Sequence, residues 1–246
     1  MKNLNKNLIL IGGGNFALEI YSYIQEEINR KSLSNVTIKG VIDKELNCLL
    51  IQKHPEVSFL GSVEDYIPEE NDYGLVTIGN AARRREIFIR LNKKVPLPLL
   101  SYVHSSAYVS SSAHIGNGVL IGPHCIVSAH SFIDNNVALN VYCGVGHGAS
   151  IGSHSVMSPY SVINGDCKLE ESVFLGSRVT LNPKVTVGAF SLIDAGCILR
   201  EDIQPLSIVS QRVEQKLFDN RILRRQLERD KSYIDSFTNN IDKKSK

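Results

Sequence analysis

Seven histidines are the side chains best suited to move a proton near neutral pH, and one has an unusual setting. His147 lies in Val145-Gly146-His147-Gly148-Ala149-Ser150-Ile151-Gly152, with Ala129 eighteen residues before it and Gly165 eighteen after. In a chain that returns on itself with that period, the imidazole has the smallest side chains above and below it. A substrate then has room beside it, as a general base requires. The same step carries Gly148 to Asp166, whose carboxylate would reach back across one strand spacing to orient His147. The alternative is a solvated corner aspartate. His54, His104, His114, His124, His130 and His154 have no comparable support and read as surface or corner residues.

A second constellation lies near the N-terminus. Gly12-x-Gly14-x-x-Ala17 follows the apolar run Asn7–Ile11, Asn15 and Phe16 complete the turn, and Asp43 closes the next apolar run. Glycine lets the backbone approach a phosphate, and a helix N-terminus stabilises the anion. A purely structural glycine turn is the other reading. The five cysteines form no C-x-x-C pair. Cys125, Cys143, Cys167 and Cys197 share one recurring small position and read as buried, reduced thiols, with no metal implied.

The elements that must hold these groups follow from periodicity. Every sixth residue from Val103 to Leu199 is aliphatic or Met, without a slip. A period of six is neither helical nor the alternation of a flat sheet. It fits a coil of three short strands, one six-residue unit per side of a triangle, with coils stacked about 4.8 Å apart. The aliphatic residue fills the interior and the small residue four positions later fits beside the corner. The outward-facing positions are expected to be polar.

Residues 1–98 read differently, as strands Asn7–Ile11, Val36–Asp43 and Tyr73–Ile78 with helices Phe16–Lys31 and Ala81–Lys93. The arginines of the second helix are expected on its exposed side. Strand, glycine turn, helix, strand opens a doubly wound, Rossmann-like α/β layer. The organisation expected is therefore a Rossmann-like domain at 1–98, a left-handed parallel β-helix of hexapeptide repeats at 99–204 and a helical tail at 205–246. Within the tail, Gln211–Ser236 reads as one polar helix.

The chain has 246 residues, a formal net charge of +2, 43% hydrophobic and 7% aromatic residues. That balance gives no compositional case for nucleic-acid binding. No apolar run approaches the roughly 20 residues a membrane span needs, and the first residues lack a signal-peptide pattern, so a cytoplasmic protein is expected.

The glycine turn, Gly40-Val41-Ile42-Asp43, the hexapeptide repeat and the closing Ala195-Gly196-Cys197-Ile198-Leu199 together resemble the hexapeptide-repeat sugar acyltransferases of bacterial surface-glycan synthesis. These are the sialic acid O-acetyltransferases and the bacillosamine and perosamine N-acetyltransferases. The resemblance implies acyl transfer from acetyl-CoA or another acyl-CoA, without a metal, to an amine or hydroxyl of a nucleotide-linked or glycan-precursor sugar. It implies His147 as base, the Gly165 N–H as oxyanion donor and Asn140 as a sugar contact; a corner asparagine ladder explains Asn140 equally well. It places the nucleotide at Gly12, Gly14, Asn15 and Asp43. Coenzyme A would lie at Gly176, Ser177, Ala195 and Gly196, between neighbouring prisms of a homotrimer. The chain departs from the family pattern in four places. Gly148 replaces an acidic residue, and Asn15-Phe16 replaces Gly-His. Val156 replaces a second histidine, whose role is either lost or passes to His154. The terminal Gly-x-Pro-Ala-Lys loop is absent, which leaves Arg212 or Lys216 to supply a cation. A non-catalytic sugar-nucleotide-binding or scaffold protein on the same prism, and an NAD-binding module fused to a β-helix, are the rival readings.

Overall fold

The computed structural model describes residues 5–93 and 97–211. Met1–Gln211 forms one compact unit. The expected tail helix and Arg212 lie outside the described residues.

Strand β1 (Lys6–Ile11) is apolar on both sides, and Leu8, Ile9, Leu10 and Ile11 are at most 2% exposed. Such a strand belongs in the middle of a parallel sheet. It pairs in parallel with β2 (Val36–Ile42) on one side and β3 (Asp72–Val76) on the other. Helix α1 (Asn15–Asn29) starts directly after Gly14 and buries Ala17, Ile20, Tyr21 and Ile24. A short helix α2 (Leu49–Lys53) follows β2, and α3 (Ala81–Lys93) spans the residues expected of it.

The arginines of α3 do not all face solvent. Arg84 is 0% exposed. Its guanidinium is tolerated there because Nε donates to Asn136 O at 2.6 Å, and Nη1 donates to Val76 O at 2.6 Å and Ile78 O at 3.2 Å. Three carbonyls replace the water lost on burial.

From Tyr102 onward, two-residue strands alternate with tight turns and wind into three parallel sheets of seven, six and five strands. Pairings such as Leu120↔Ala138, Ile126↔Gly144 and Phe132↔Ser150 all step by one 18-residue coil. The first face carries Tyr102, Leu120, Ala138, Val156 and Phe174; the second Tyr108, Ile126, Gly144, Val162 and Thr180; the third His114, Phe132, Ser150 and Lys168. From Gly118 to Gly196 a residue in the left-handed region turns each corner, for example Tyr142 (φ 58°), Gly148 (φ 64°) and His154 (φ 67°) in successive corners of one coil. The interior holds the six-step aliphatics and the four buried cysteines. Val103 is 39% exposed because it lies in the first coil, with no coil beneath it.

The ladder continues past residue 204. Val187 bridges Ile203 and Ile193 pairs with Val209, both steps of sixteen. The last coil is two residues short, which ends the six-residue pattern at Leu199 while strand pairing persists.

Outward positions depart from the polar expectation on two faces. On the first face, Tyr102, Leu120, Ala138 and Val156 are buried in one cluster with Leu8, Ile20 and Ile24 of the α/β layer. On the second, Tyr108, Ile126 and Ile198 are 63%, 54% and 56% exposed. Exposed apolar side chains grouped in this way are unusual on a free surface.

Candidate active site

His147 turns the corner between the second and third faces, after Gly144–Val145 and before Ser150–Ile151. It is exposed, as the open setting read from Ala129 and Gly165 requires. Its imidazole stands over Gly165: a Cβ built there would lie 2.5 Å from Cε1 and 2.6 Å from Nε2. Only glycine leaves that space. The Gly165 N–H has no acceptor among the described residues, while its carbonyl accepts from Lys184 N at 3.0 Å. An exposed imidazole and an uncommitted backbone donor therefore meet at one corner, the pair that acyl transfer uses for proton abstraction and oxyanion stabilisation.

Asp166 occupies the same corner one coil on, and its N–H donates to His147 O at 2.9 Å. Its carboxylate lies against Gly148, where φ is +64° and a side chain would collide with Oδ1. The column arithmetic thus brings Asp166 beside the residue that follows His147, with no hydrogen bond between the two side chains. Asn164, which the sequence reading passed over, lines the same corner with Nδ2 donating to Leu181 O at 2.6 Å.

Asn140, Gly176, Ser177, Ala195 and Gly196 are together at a different corner, between the first and second faces. Asn140 Oδ1 accepts from Val141 N at 2.7 Å, a local turn contact. Gly176 packs so tightly that a Cβ would lie 2.6 Å from Ala195 N. Gly196 has φ +78° and open space around it, so its backbone can be approached. The same corner carries a stack that the sequence reading missed. Rings of His124, Tyr142 and Tyr160 follow one another at 4.9 Å spacings, and the Arg178 guanidinium lies 5.0 Å above Tyr160. Stepping by eighteen from His124 finds all four. Within one chain this corner and that of His147 lie at opposite edges of the second face.

His154 does not join His147. It sits at the third corner, between the third and first faces, 6% exposed and 4.8 Å from the Phe88 ring, with Nδ1 3.0 Å from Asn136 Nδ2. Burial, helped by Arg84 and Arg85 and opposed by Glu171, pulls its pKa down to about 4. Val156, the position aligned with the second family histidine, faces the α/β layer from the first face. The transfer of that histidine's role to His154 is therefore corrected: the ring is fixed elsewhere.

The glycine turn opens on a cleft of about 690 Å³ at the carboxyl ends of the three parallel strands. Gly12, Gly13, Gly14, Asn15 and Asp43 line it, with Lys44, Asn80 and Arg83. Asp43 holds the turn together, since Oδ2 accepts from Gly13 N at 2.6 Å and Oδ1 from Glu45 N at 3.2 Å. Helix α1 has no side-chain cap at Gly14, so its first amides face an anion freely. Lys44 and Arg83 add positive charge that the sequence reading did not assign. Arg90, also on the wall, is paired with Glu64 and Glu86.

Among the described residues, no group of three or more His, Cys, Asp or Glu is placed to hold a metal. No described helix is long and apolar enough to cross a membrane.

Comparison with known proteins bears on this geometry. A family model described as the GMPPB C-terminal domain matches residues 100–195. The curated proteins contain no sequence match. Among solved structures, a point mutant of perosamine N-acetyltransferase from Caulobacter crescentus, in complex with CoA and GDP-perosamine, superposes with a TM-score of 0.71 at 20% identity, covering 86% of this chain and 97% of that one. The acetyltransferase domain of PglB from Neisseria gonorrhoeae FA1090, in complex with acetyl coenzyme A, gives 0.70 at 22%, covering 87% and 100%. WeeI from Acinetobacter baumannii AYE gives 0.66 at 16%, covering 84% and 97%. The fold is thus an α/β layer followed by a left-handed parallel β-helix.

Proposed function

We propose that this chain is an acyl-CoA-dependent transferase, with acetyl-CoA the expected donor, that acylates an amine or hydroxyl of a nucleotide-linked or surface-glycan sugar. The observation that carries this reading is the imidazole of His147 standing over Gly165, whose N–H is uncommitted. His147 takes the proton of the acceptor N–H or O–H as that atom attacks the thioester carbonyl. The Gly165 N–H stabilises the oxyanion that forms. Collapse breaks the C–S bond, and the imidazolium returns the proton to the departing thiolate. Asp166, in the adjoining coil, holds the His147 backbone through its N–H to His147 O at 2.9 Å, and the expected carboxylate hydrogen bond to the ring is not formed. CoA and GDP-perosamine in the similarly folded perosamine N-acetyltransferase support this choice of substrates.

The acceptor's nucleotide rests in the cleft at Gly12, Gly14 and Asn15, with Lys44 and Arg83 facing its phosphates; Asp43 acts by holding the turn. Coenzyme A contacts the exposed Ala195 and Gly196, with Ser177 beside them; the expected contact at Gly176 is corrected, because that residue is buried with its N–H given to Ile193 O and its carbonyl accepting from Ser161 Oγ. Those residues and His147 lie at opposite edges of the second face, so one complete site needs two chains. The apolar column Tyr108, Ile126 and Ile198 fits that contact, and a cyclic homotrimer completes it. We place the enzyme in the cytoplasm, in line with five unpaired cysteines, and divide it functionally at residue 98, with the β-helix running past the expected boundary at 204 to Val209.

Release of free thiol from acetyl-CoA, measured over a panel of nucleotide-linked amino and hydroxy sugars, tests the reading. Turnover with at least one acceptor, reduced by about 10² to 10⁴ in His147→Ala, is expected. Acceptor binding without thiol release would overturn it in favour of a binding protein.

A further inference from the structure

A cavity of about 620 Å³ lies on the third face, apart from the glycine-turn cleft. Its walls include Phe132, Asp134, Ser150, His154, Lys168 and Glu170. Ser150 and Lys168 begin the strands that follow the corners of His147 and Asp166, so the cavity starts where the proposed chemistry occurs.

One wall is a mostly buried imidazole with one nitrogen uncommitted. His154 is 6% exposed, and its Nδ1 is held by Asn136 Nδ2, while Nε2 has no partner among the described residues. The same Nδ2 also donates to Arg84 O at 3.2 Å, an orientation that leaves Oδ1 without a partner. An amide nitrogen only donates, so Nδ1 must accept and the proton of the neutral ring sits on Nε2. Burial keeps the ring uncharged at neutral pH. The Phe88 ring packs on it at 4.8 Å. His154 therefore offers a fixed, neutral N–H donor as part of the cavity wall.

The other walls define what that donor would meet. Phe132 offers an apolar ring, 46% exposed and stacked on His114 at 4.5 Å. Asp134 and Glu170 accept hydrogen bonds, Lys168 donates, and Ser150 does either. Glu170 is paired with Lys168 at 3.3 Å and Glu171 with Arg85 at 2.5 Å, which leaves Asp134 as the surplus charge, a negative one. Such a surface repels a diphosphate, whereas the cleft lined by Lys44 and Arg83 attracts one. Mixed donors and acceptors beside an aromatic ring suit a neutral or amine-bearing sugar ring.

We propose that this cavity is a subsite for the sugar ring of the acceptor, separate from the nucleotide cleft, with His154 Nε2–H as its specificity-determining donor. The acceptor role rests on the transferase reading above. Sugar binding itself does not, and the test is made without an acyl donor.

Saturation-transfer NMR on the full-length protein, with D-glucosamine and UDP as separate probes, tests the subsite. Ser150→Tyr fills the cavity by extending the outward aromatic column from Phe132, and His154→Phe keeps the ring while removing the donor. We expect transfer to glucosamine in the wild type, at least a fivefold loss in both variants, and unchanged transfer to UDP. Absence of transfer to glucosamine in the wild type, or transfer indifferent to both variants, would overturn the proposal. Displacement of glucosamine by UDP would do the same, because it would put both in one site. Turnover of nucleotide sugars alongside any of those results would remove the subsite and leave the transferase standing. Intact sugar binding without turnover would do the reverse.

Discussion

Adding one methyl group at Gly165 tests the position of the imidazole without touching the imidazole itself. Gly165 is not among the positive-φ residues, so alanine fits the backbone. The new Cβ would fall 2.5 Å from His147 Cε1 and 2.6 Å from Nε2, where ordinary contact begins at 3.4 Å. The ring must therefore retreat by about an ångström, and a misplacement of that size costs about 10²-fold in rate. His147 is exposed and can swing outward, so stability should change by no more than about 0.5 kcal/mol. The assay is thiol release from acetyl-CoA with a nucleotide-sugar acceptor, run beside thermal unfolding. Gly165→Ala should lose about 10²-fold in kcat with its melting curve in place. His147→Ala should lose between about 10² and 10⁴, the usual worth of a general base. Full kcat in Gly165→Ala would refute the reasoning, because a base displaced by an ångström cannot keep its rate.

Three further outcomes follow from other parts of the molecule. Arg84→Met strands the carbonyls of Val76, Ile78 and Asn136, and urea unfolding should show a loss of about 3 kcal/mol; equal stability would mean the buried guanidinium holds nothing. His154 binds its proton less readily folded, near 4, than unfolded, near 6.5, so its contribution is complete above pH 6.5 and fades as pH falls toward 4. Wild type should lose up to about 3 kcal/mol across that window beyond the loss seen in His154→Phe, and identical pH dependence in the two would remove the effect. Ile126→Glu puts a charge in the exposed column of the second face, and sedimentation should show a trimer in the wild type and a monomer in the variant.

How much of this was legible in the sequence depends on which part of the chain is asked. In the prism, a residue's neighbours above and below are those eighteen places away, so structure is nearly one-dimensional. That is why Gly165 beneath His147, Asp166 beside Gly148 and the buried cysteines all follow from counting. The stack of His124, Tyr142, Tyr160 and Arg178 obeys the same rule, but it emerges only when the count starts from His124 rather than from the corner of His147 and Gly148. The α/β layer offers no such rule. Arg84 lies on a helix face whose other arginines suggest solvent, and only the meeting of α3 with the Asn136 corner supplies the carbonyls that bury it. Asp43 has the position of a ligand-binding acid, but nothing local says that the Gly13 amide will occupy its oxygen. The His147 corner and the Gly196 corner present the same difficulty one level higher. Counting by eighteen places each of them correctly on its own column. Counting by six shows that a whole face lies between them, so the step that would unite them is a contact between copies, which no periodicity within one chain encodes.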